Sequence, residues 1–353
     1  MVRWGMTRLG NGISRLACAC ALLFLPLPAQ AQQSAWSPPR MPDGRPDLQG
    51  VWTNASITTL ERPERYASTI LKPEEVEAAT RAHPQNVRQR TDDNQKLADG
   101  VGAMNGKDLA QGRGYNSFWI DPGTTFGVVK GETRTAWITD PPDGRIPFSA
   151  EGRKLAKVGE AKLGYSDPEA RPLADRCLAT GGRTGPPMVN GLYNNHYQVV
   201  VTPTHVMILS EMIEHARIIP IGDRHGPKVM HKLFGDSIAH WEGDSLVIET
   251  TDFSDYHRWQ DHPAYLSADA KVTERLSRSA DRELLYEFTV EDPVFYSQPW
   301  RGAATWRSDG ERIYEYACHE GNYAMEGILA GARKQEREGK TVKANAAEEG
   351  RGN

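Results

Sequence analysis

The chain has 353 residues, of which 39% are hydrophobic and 25% charged, with a formal net charge of −4. This composition excludes a fibrous or wholly disordered chain and allows a sizeable core. With 42 basic against 46 acidic residues, the chain lacks the basic surplus of a general nucleic-acid binder.

Arg3, Arg8 and Arg15 make a basic start, and the 12 residues Leu16–Leu27 form an apolar run. Ala29 and Ala31 then form a small-x-small site. This is the order of a secretory signal, so residues 1–31 are expected to be removed before Gln32. The run is short of the roughly 20 residues that span a bilayer, so no membrane span is expected after cleavage. Loss of the three arginines takes the net charge from −4 to −7. The mature protein is expected to be periplasmic or secreted. Two cysteines remain, Cys177 and Cys318. In an exported protein such a pair suggests a disulfide, and a loop this large would contribute about 4–5 kcal/mol in the chain-entropy model.

Residues 32–47 read as an extended lead-in, rich in Pro, Gly and polar residues. Pro73–His83 reads as a short helix with proline in its first turn. Residues 85–114 are polar and read as a loop. Ser149–Leu163 reads as a second helix capped by Ser149. From about residue 194 the pattern turns to strands: His196–Val201, His205–Ser210, Ala216–Ile221, Ser245–Thr251, Lys271–Ser277, Leu284–Glu291 and Arg312–Cys318. These runs are rich in Val, Ile, Tyr and Thr, and several alternate. Short turns between them imply antiparallel neighbours. A closing helix over Tyr323–Glu338 and a disordered tail over 339–353 complete the chain.

The expected fold is mainly β. It is an antiparallel meander closed as a lipocalin-like barrel or folded as a sandwich, with a few peripheral helices. One β-rich domain over 48–338 carries a helical and loop insertion at about 60–165. Gly50-Val51-Trp52 resembles the opening of lipocalin-like barrels, where the Trp plugs one end. The segments PDGRPDLQGVW (42–52), DPPDGRIP (140–147), GDSIAHWEGDSLVIETTDF (235–253), FTVEDP (288–293) and YEYACHEGNYAMEGILAGAR (314–333) together resemble a widespread group of uncharacterised secreted bacterial proteins. The resemblance implies a secreted β-rich domain and little chemistry. Relatives often carry His-Asp-Ala-Arg where this chain has Glu214-His215-Ala216-Arg217.

The familiar enzyme signatures are absent: no Gly-x-Ser-x-Gly elbow, no phosphate-binding Gly-rich loop, no His-Glu-x-x-His helix. What remains is His, carboxylates and aromatics in the strand-rich half. With Pro203-Thr204 as a two-residue loop, His196 falls opposite Glu211. A carboxylate there raises the imidazole pKa and orients the ring, which suits a general acid or base; an exposed cross-strand ion pair is the plainer reading. With Gly243-Asp244 as a loop, Trp241 shares a face with Leu246 and Ile248, and His240 shares the other with Glu249. That second face either meets water or lines a barrel interior. His319 and Glu320 follow Cys318 in a polar cluster that is either a site on a stiffened segment or a turn before the helix.

Asn194, Asn195, Arg217, Trp241, Trp300 and Tyr323 are the candidate ligand contacts. Trp119, Trp137 and Trp306 are further aromatics for a pocket or for the core. Asp255, His257, Asp261, His262, His225 and His231 repeat no recognised zinc spacing, so no metal is expected, and no cofactor. The leading expectation is a periplasmic barrel that binds a small, largely apolar or aromatic molecule in its cavity. The alternative is metal-free acid–base catalysis (a lyase, isomerase or hydrolase) in the same cavity. The sequence leaves the oligomeric state open.

Overall fold

The computed structural model describes residues 36–94, 122–161, 164–180, 182–227, 232–254 and 264–340. The expected signal, Trp119, most of the 85–114 loop and the tail beyond Lys340 lie outside them. Pro38 onward folds as one unit. Its first half contains β1 (Gly50–Thr53), β2 (Ile70–Leu71), α1 (Pro73–Ala82), α2 (Pro84–Asn94), β3 (Gly127–Val129), β4 (Glu132–Arg134), β5 (Ile138–Asp140) and α3 (Ala150–Ala161). Strands then follow one another: β6 (His196–Val201), β7 (His205–Ser210), β8 (Ala216–Pro220), β9 (Asp236–Glu242), β10 (Ser245–Thr251), β11 (Lys271–Ala280), β12 (Glu283–Glu291) and β13 (Trp300–Arg307). Helix α4 (Tyr323–Arg337) comes last.

The architecture is mainly β, with one large antiparallel sheet and few helices. The sheet runs in the order β8-β7-β6-β1-β13-β12-β11-β10-β9, and β5 pairs with β13 off this path. Strands β2, β4 and β3 make a small second sheet. Just past β8, Ile221 forms an isolated parallel bridge with Ala239 of β9, and the Gly222 N–H donates to the Ala239 carbonyl at 2.9 Å.

Alternation explains the strands that the sequence announces. In β6, Tyr197, Val199 and Val201 are buried; in β12, Leu284, Tyr286, Phe288 and Val290 are buried. Residues between them face outward, so each strand hides one face. Turn chemistry sets the register. Val201 pairs with Val206 across the Thr202–His205 turn, and Glu242 pairs with Ser245 across Gly243-Asp244. Gly243 takes φ +57°, the conformation a two-residue hairpin needs at its first central position.

Large aromatics fill the inner face. Trp306 stacks on Tyr197 and Tyr286, with centroids 4.6 and 4.9 Å away. Trp300 meets Phe288 edge-on at 5.7 Å. A Cβ on Gly302 would lie 2.2 Å from the Phe288 ring, so only glycine lets β13 approach it. Trp52 is buried, donates its indole N–H to the Leu48 carbonyl at 3.1 Å, and lies under the Arg278 guanidinium. Truncating one such aromatic to Ala costs about 3–5 kcal/mol.

Helices α1, α3 and α4 fall where the sequence puts them, and the Ser149 hydroxyl accepts from the Gly152 N–H at 2.8 Å as the α3 cap. Three expectations change. Residues 84–94 are helix α2 rather than loop. In the lead-in, residues 39–47 form a tight turn in which Asp47 N–H donates to the Pro39 carbonyl. Residues 312–318 make no strand, and Tyr314 is 65% exposed. The place beside β12 and β1 is already taken by β13, so Arg312–Cys318 has the residue types of a strand but no edge to pair with. β13 escapes a period-two reading because it is buried on both faces: Ile138 of β5 pairs with Gly302, and the Thr305 hydroxyl donates to the Val128 carbonyl of β3.

Candidate functional site

Tyr197 pairs with Ser210 at the end of β6 and β7, which brings the next residues outward, His196 and Glu211, side by side. The Glu211 N–H donates to the His196 carbonyl at 2.9 Å. His196 Nδ1 lies 3.1 Å from Glu211 Oε2, and Nε2 lies 3.0 Å from Asp309 Oδ2. The Glu211 hydrogen bond, opposed by burial and reinforced by Asp309, raises the His196 pKa to about 9. At neutral pH this is an imidazolium with both N–H groups given to carboxylates. It pins residue 309, just past β13, to the start of β6. A ring held at both nitrogens is committed to ion pairing and must break a bond before it can move a proton.

Beyond Glu211 the chain turns sharply into β8. Ile213 and Glu214 both take left-handed backbone, with φ 61° and 50°. Each costs about 1–2 kcal/mol, more for a β-branched residue. Opposite them runs the segment 308–322, tied down by the Cys177–Cys318 disulfide with Cα atoms 5.8 Å apart. Between the two lies a depression of about 340 Å³. Its walls are Cys177, Leu178, Ile213, Glu214 and His215 on one side and Glu315 to Glu320 on the other. The Tyr316 N–H donates to Glu214 Oε1 at 3.1 Å and holds the walls together.

His215 is the histidine that matters here. Its ring packs on Phe234, centroids 4.0 Å apart. Burial, helped by the Arg217 charge, pushes its pKa down to about 4, so the ring is neutral at pH 7. Burial and the neighbouring Tyr193 raise the Tyr316 phenol to about 12. Two histidines at the same end of β6 and β8, the strands on either side of β7, thus stand in opposite charge states.

The other candidates scatter. His319 and Glu320 line the depression. Tyr323, at the first turn of α4, is 85% exposed. His240 sits on the outer face of β9, 3.1 Å from Glu242, which in turn pairs with Arg275. Its neighbour across the hairpin, Glu249, pairs with Lys271. These side chains form surface ion pairs, while Ile238 and Val247 of the same face are buried. Trp241 turns inward and is half-buried against the core, while Trp137 and Trp300 are fully buried in it. Asn195 makes two hydrogen bonds with the Gly191 backbone and closes the turn before β6, and Asn194 takes φ 53° in the same turn.

Arg217 is not at the rim surface. It reaches inward from β8 and binds Glu274 of β11 through two bonds of 3.1 and 2.6 Å. Burial opposes the charge, but Glu274 outweighs it and holds the guanidinium above its ordinary pKa. Tyr286 donates to Glu274 at 2.8 Å and accepts from the Met188 N–H at 2.7 Å. This pair was legible in one respect: Glu274 interrupts the buried row Val272, Glu274, Leu276. Asp309, by contrast, reads in sequence only as part of an Asp-Gly turn.

Among the described residues no group of three His, Cys, Asp or Glu is placed to hold a metal ion. His225 bonds Asp236 at 3.2 Å. Asp255, His257, Asp261, His262 and His231 lie outside the described residues. No described helix is long and apolar enough to cross a membrane. No family model, curated protein or solved structure matches the chain.

Proposed function

We propose that this chain is an exported, lipocalin-like β protein that binds a small amphipathic molecule at the rim of its sheet. The observation that carries this reading is the depression between residues 211–216 and 308–322, with a neutral His215 on a strained wall. Its volume lies at the small end of ordinary ligand sites. Strained backbone concentrates at functional sites, where surrounding structure must enforce it. Leu178, Ile213 and Tyr316 offer apolar surface, and the His215 ring offers a lone pair. Glu214, Glu315 and Glu320 repel a carboxylate and favour a phenol or an amine.

In this reading the ligand sits at the rim, while Trp52, Tyr197, Tyr286 and Trp306 pack in the core. Closure of the sheet as a barrel is supported by the Ile221–Ala239 bridge and by Arg217 reaching Glu274 from the first strand of the order to the seventh. The resemblance to secreted bacterial proteins is consistent with this reading, since two of its segments form the lead-in with β1 and the β9–β10 hairpin. Titration with phenol, benzylamine and benzoate, followed by amide NMR shifts, tests the site. Phenol or benzylamine should shift residues 211–216 and 314–320, benzoate should not, and His215→Ala should remove the response. Binding that survives His215→Ala would move the ligand elsewhere.

Acid–base catalysis in the same place is favoured by one observation: the two rim histidines are pushed to about 9 and about 4. Divergent pKa values of neighbouring groups mark acid and base partners. In that reading His215 accepts the proton and His196 supports the charge, and His215→Gln should lower turnover by about 10²–10⁴-fold.

A further inference from the structure

The segment 308–322 has no partner strand, yet it forms one wall of the depression. Few contacts hold it: the Ser308 N–H on the Arg282 carbonyl, Asp309 on His196, the Tyr316 N–H on Glu214, Tyr193 on the Tyr316 phenol, Asn322 on the Asp175 carbonyl, and the disulfide. The two sulfurs are not equivalent. Cys177 is 3% exposed, whereas Cys318 is half-buried on the outer segment. The Asn322 side-chain N–H also points at Cys177 Sγ, 3.7 Å away. An incoming thiolate therefore has access to Cys318, and a donor already stands beside the sulfur that would leave.

We propose that the Cys177–Cys318 bond is a thiol-exchange site at which a dithiol reductant releases the 308–322 wall. A thiolate of the reductant attacks Cys318 Sγ. A sulfur–sulfur bond forms between them, the Cys177–Cys318 bond breaks, and its electron pair leaves on Cys177 as a thiolate stabilised by the Asn322 N–H. Water supplies the proton that makes the Cys177 thiol. The second thiolate of the reductant then attacks its own sulfur in the mixed disulfide and expels Cys318, which is protonated in turn. The reductant ends as an internal disulfide, having given two electrons. Access and leaving-group stabilisation both direct exchange. The ion pair and the few hydrogen bonds that remain are too weak to order an unpaired strap alone. The proposal does not need the depression to bind a ligand, and its test uses none.

The full oxidised chain is treated with glutathione, quenched by alkylation and mapped by mass spectrometry. Glutathione should sit on Cys318 and the alkyl group on Cys177; the reverse pattern, or reaction only in denaturant, overturns the assignment. Asn322→Ala should slow reduction by dithiothreitol about fivefold, the worth of one hydrogen bond to the leaving sulfur; an unchanged rate overturns the directing role. Hydrogen exchange of the reduced protein should show the Tyr316 amide deprotected while β11–β13 stay protected. An unchanged Tyr316 amide, or global unfolding on reduction, overturns the release of a local wall.

Discussion

The interior and the rim of the sheet each hold a small ionic cluster, and they behave in opposite ways. Inside, Arg217, Glu274 and Tyr286 are almost wholly buried and bind one another. At the rim, His196 is shared between the buried Glu211 and the more exposed Asp309. The interior pair joins β8 to β11, strands far apart in the sheet order. The rim cluster joins a strand start to the 308–322 segment, so it acts on a wall of the depression. A carboxylate meets a cation in both places, but the interior cation is an arginine that keeps its charge and the rim cation is a histidine that can lose it, so one is a fixed brace and the other a titrating latch.

Breaking the brace should have the largest effect. Glu274→Ala leaves Arg217 buried without a counter-charge and should destabilise by about 3–5 kcal/mol, read from the urea midpoint. Replacing both partners, Arg217→Met with Glu274→Leu, should recover most of that loss, because no isolated charge remains. If the double variant is no better than Glu274→Ala, the pair does more than fill the space between β8 and β11.

The latch should respond to pH. His196 has a folded pKa raised to about 9 against an ordinary value of 6.5. Its contribution is therefore complete below pH 6.5 and lost as pH rises toward 9. Unfolding free energy should fall by about 2–3 kcal/mol over that window, and His196→Gln should flatten the slope. A slope that persists in the variant would assign it to another group.

His215 should give the opposite limb. Its folded pKa is lowered to about 4, so its contribution is present above pH 6.5 and disappears as pH falls toward 4. The ring is only partly shielded, and a loss of about 1–2 kcal/mol is expected, removed by His215→Phe. The buried His83 at the end of α1 is pushed down to about 4 as well and adds to this limb, so the His215 share is the difference between variant and parent. The smallest effect belongs to His240→Ala on the outer face, expected within about 0.5 kcal/mol.

Much of the fold was legible because local rules and tertiary structure agree there. The alternation in β6 and β12, the two-residue turns and the short-range pairing of His196 with Glu211 all follow from neighbours in sequence. β13 was not legible, since cover on both faces removes the period-two signal. Neither was the true role of Arg217, whose partner lies 57 positions away. The depression itself was out of reach: it needs the 211–216 turn, Cys177 and residues 315–320 together.

The sequence by itself determined the alternating strands such as β6 and β12, their antiparallel hairpins and the places of helices α1, α3 and α4, because these depend on side-chain alternation and turn residues a few positions apart. The tertiary structure decided which strand pairs with β1, whether a strand-like segment finds an edge, and which histidine carries a charge. Those outcomes depend on burial and on partners brought in from distant parts of the chain, and only the folded sheet brings them together.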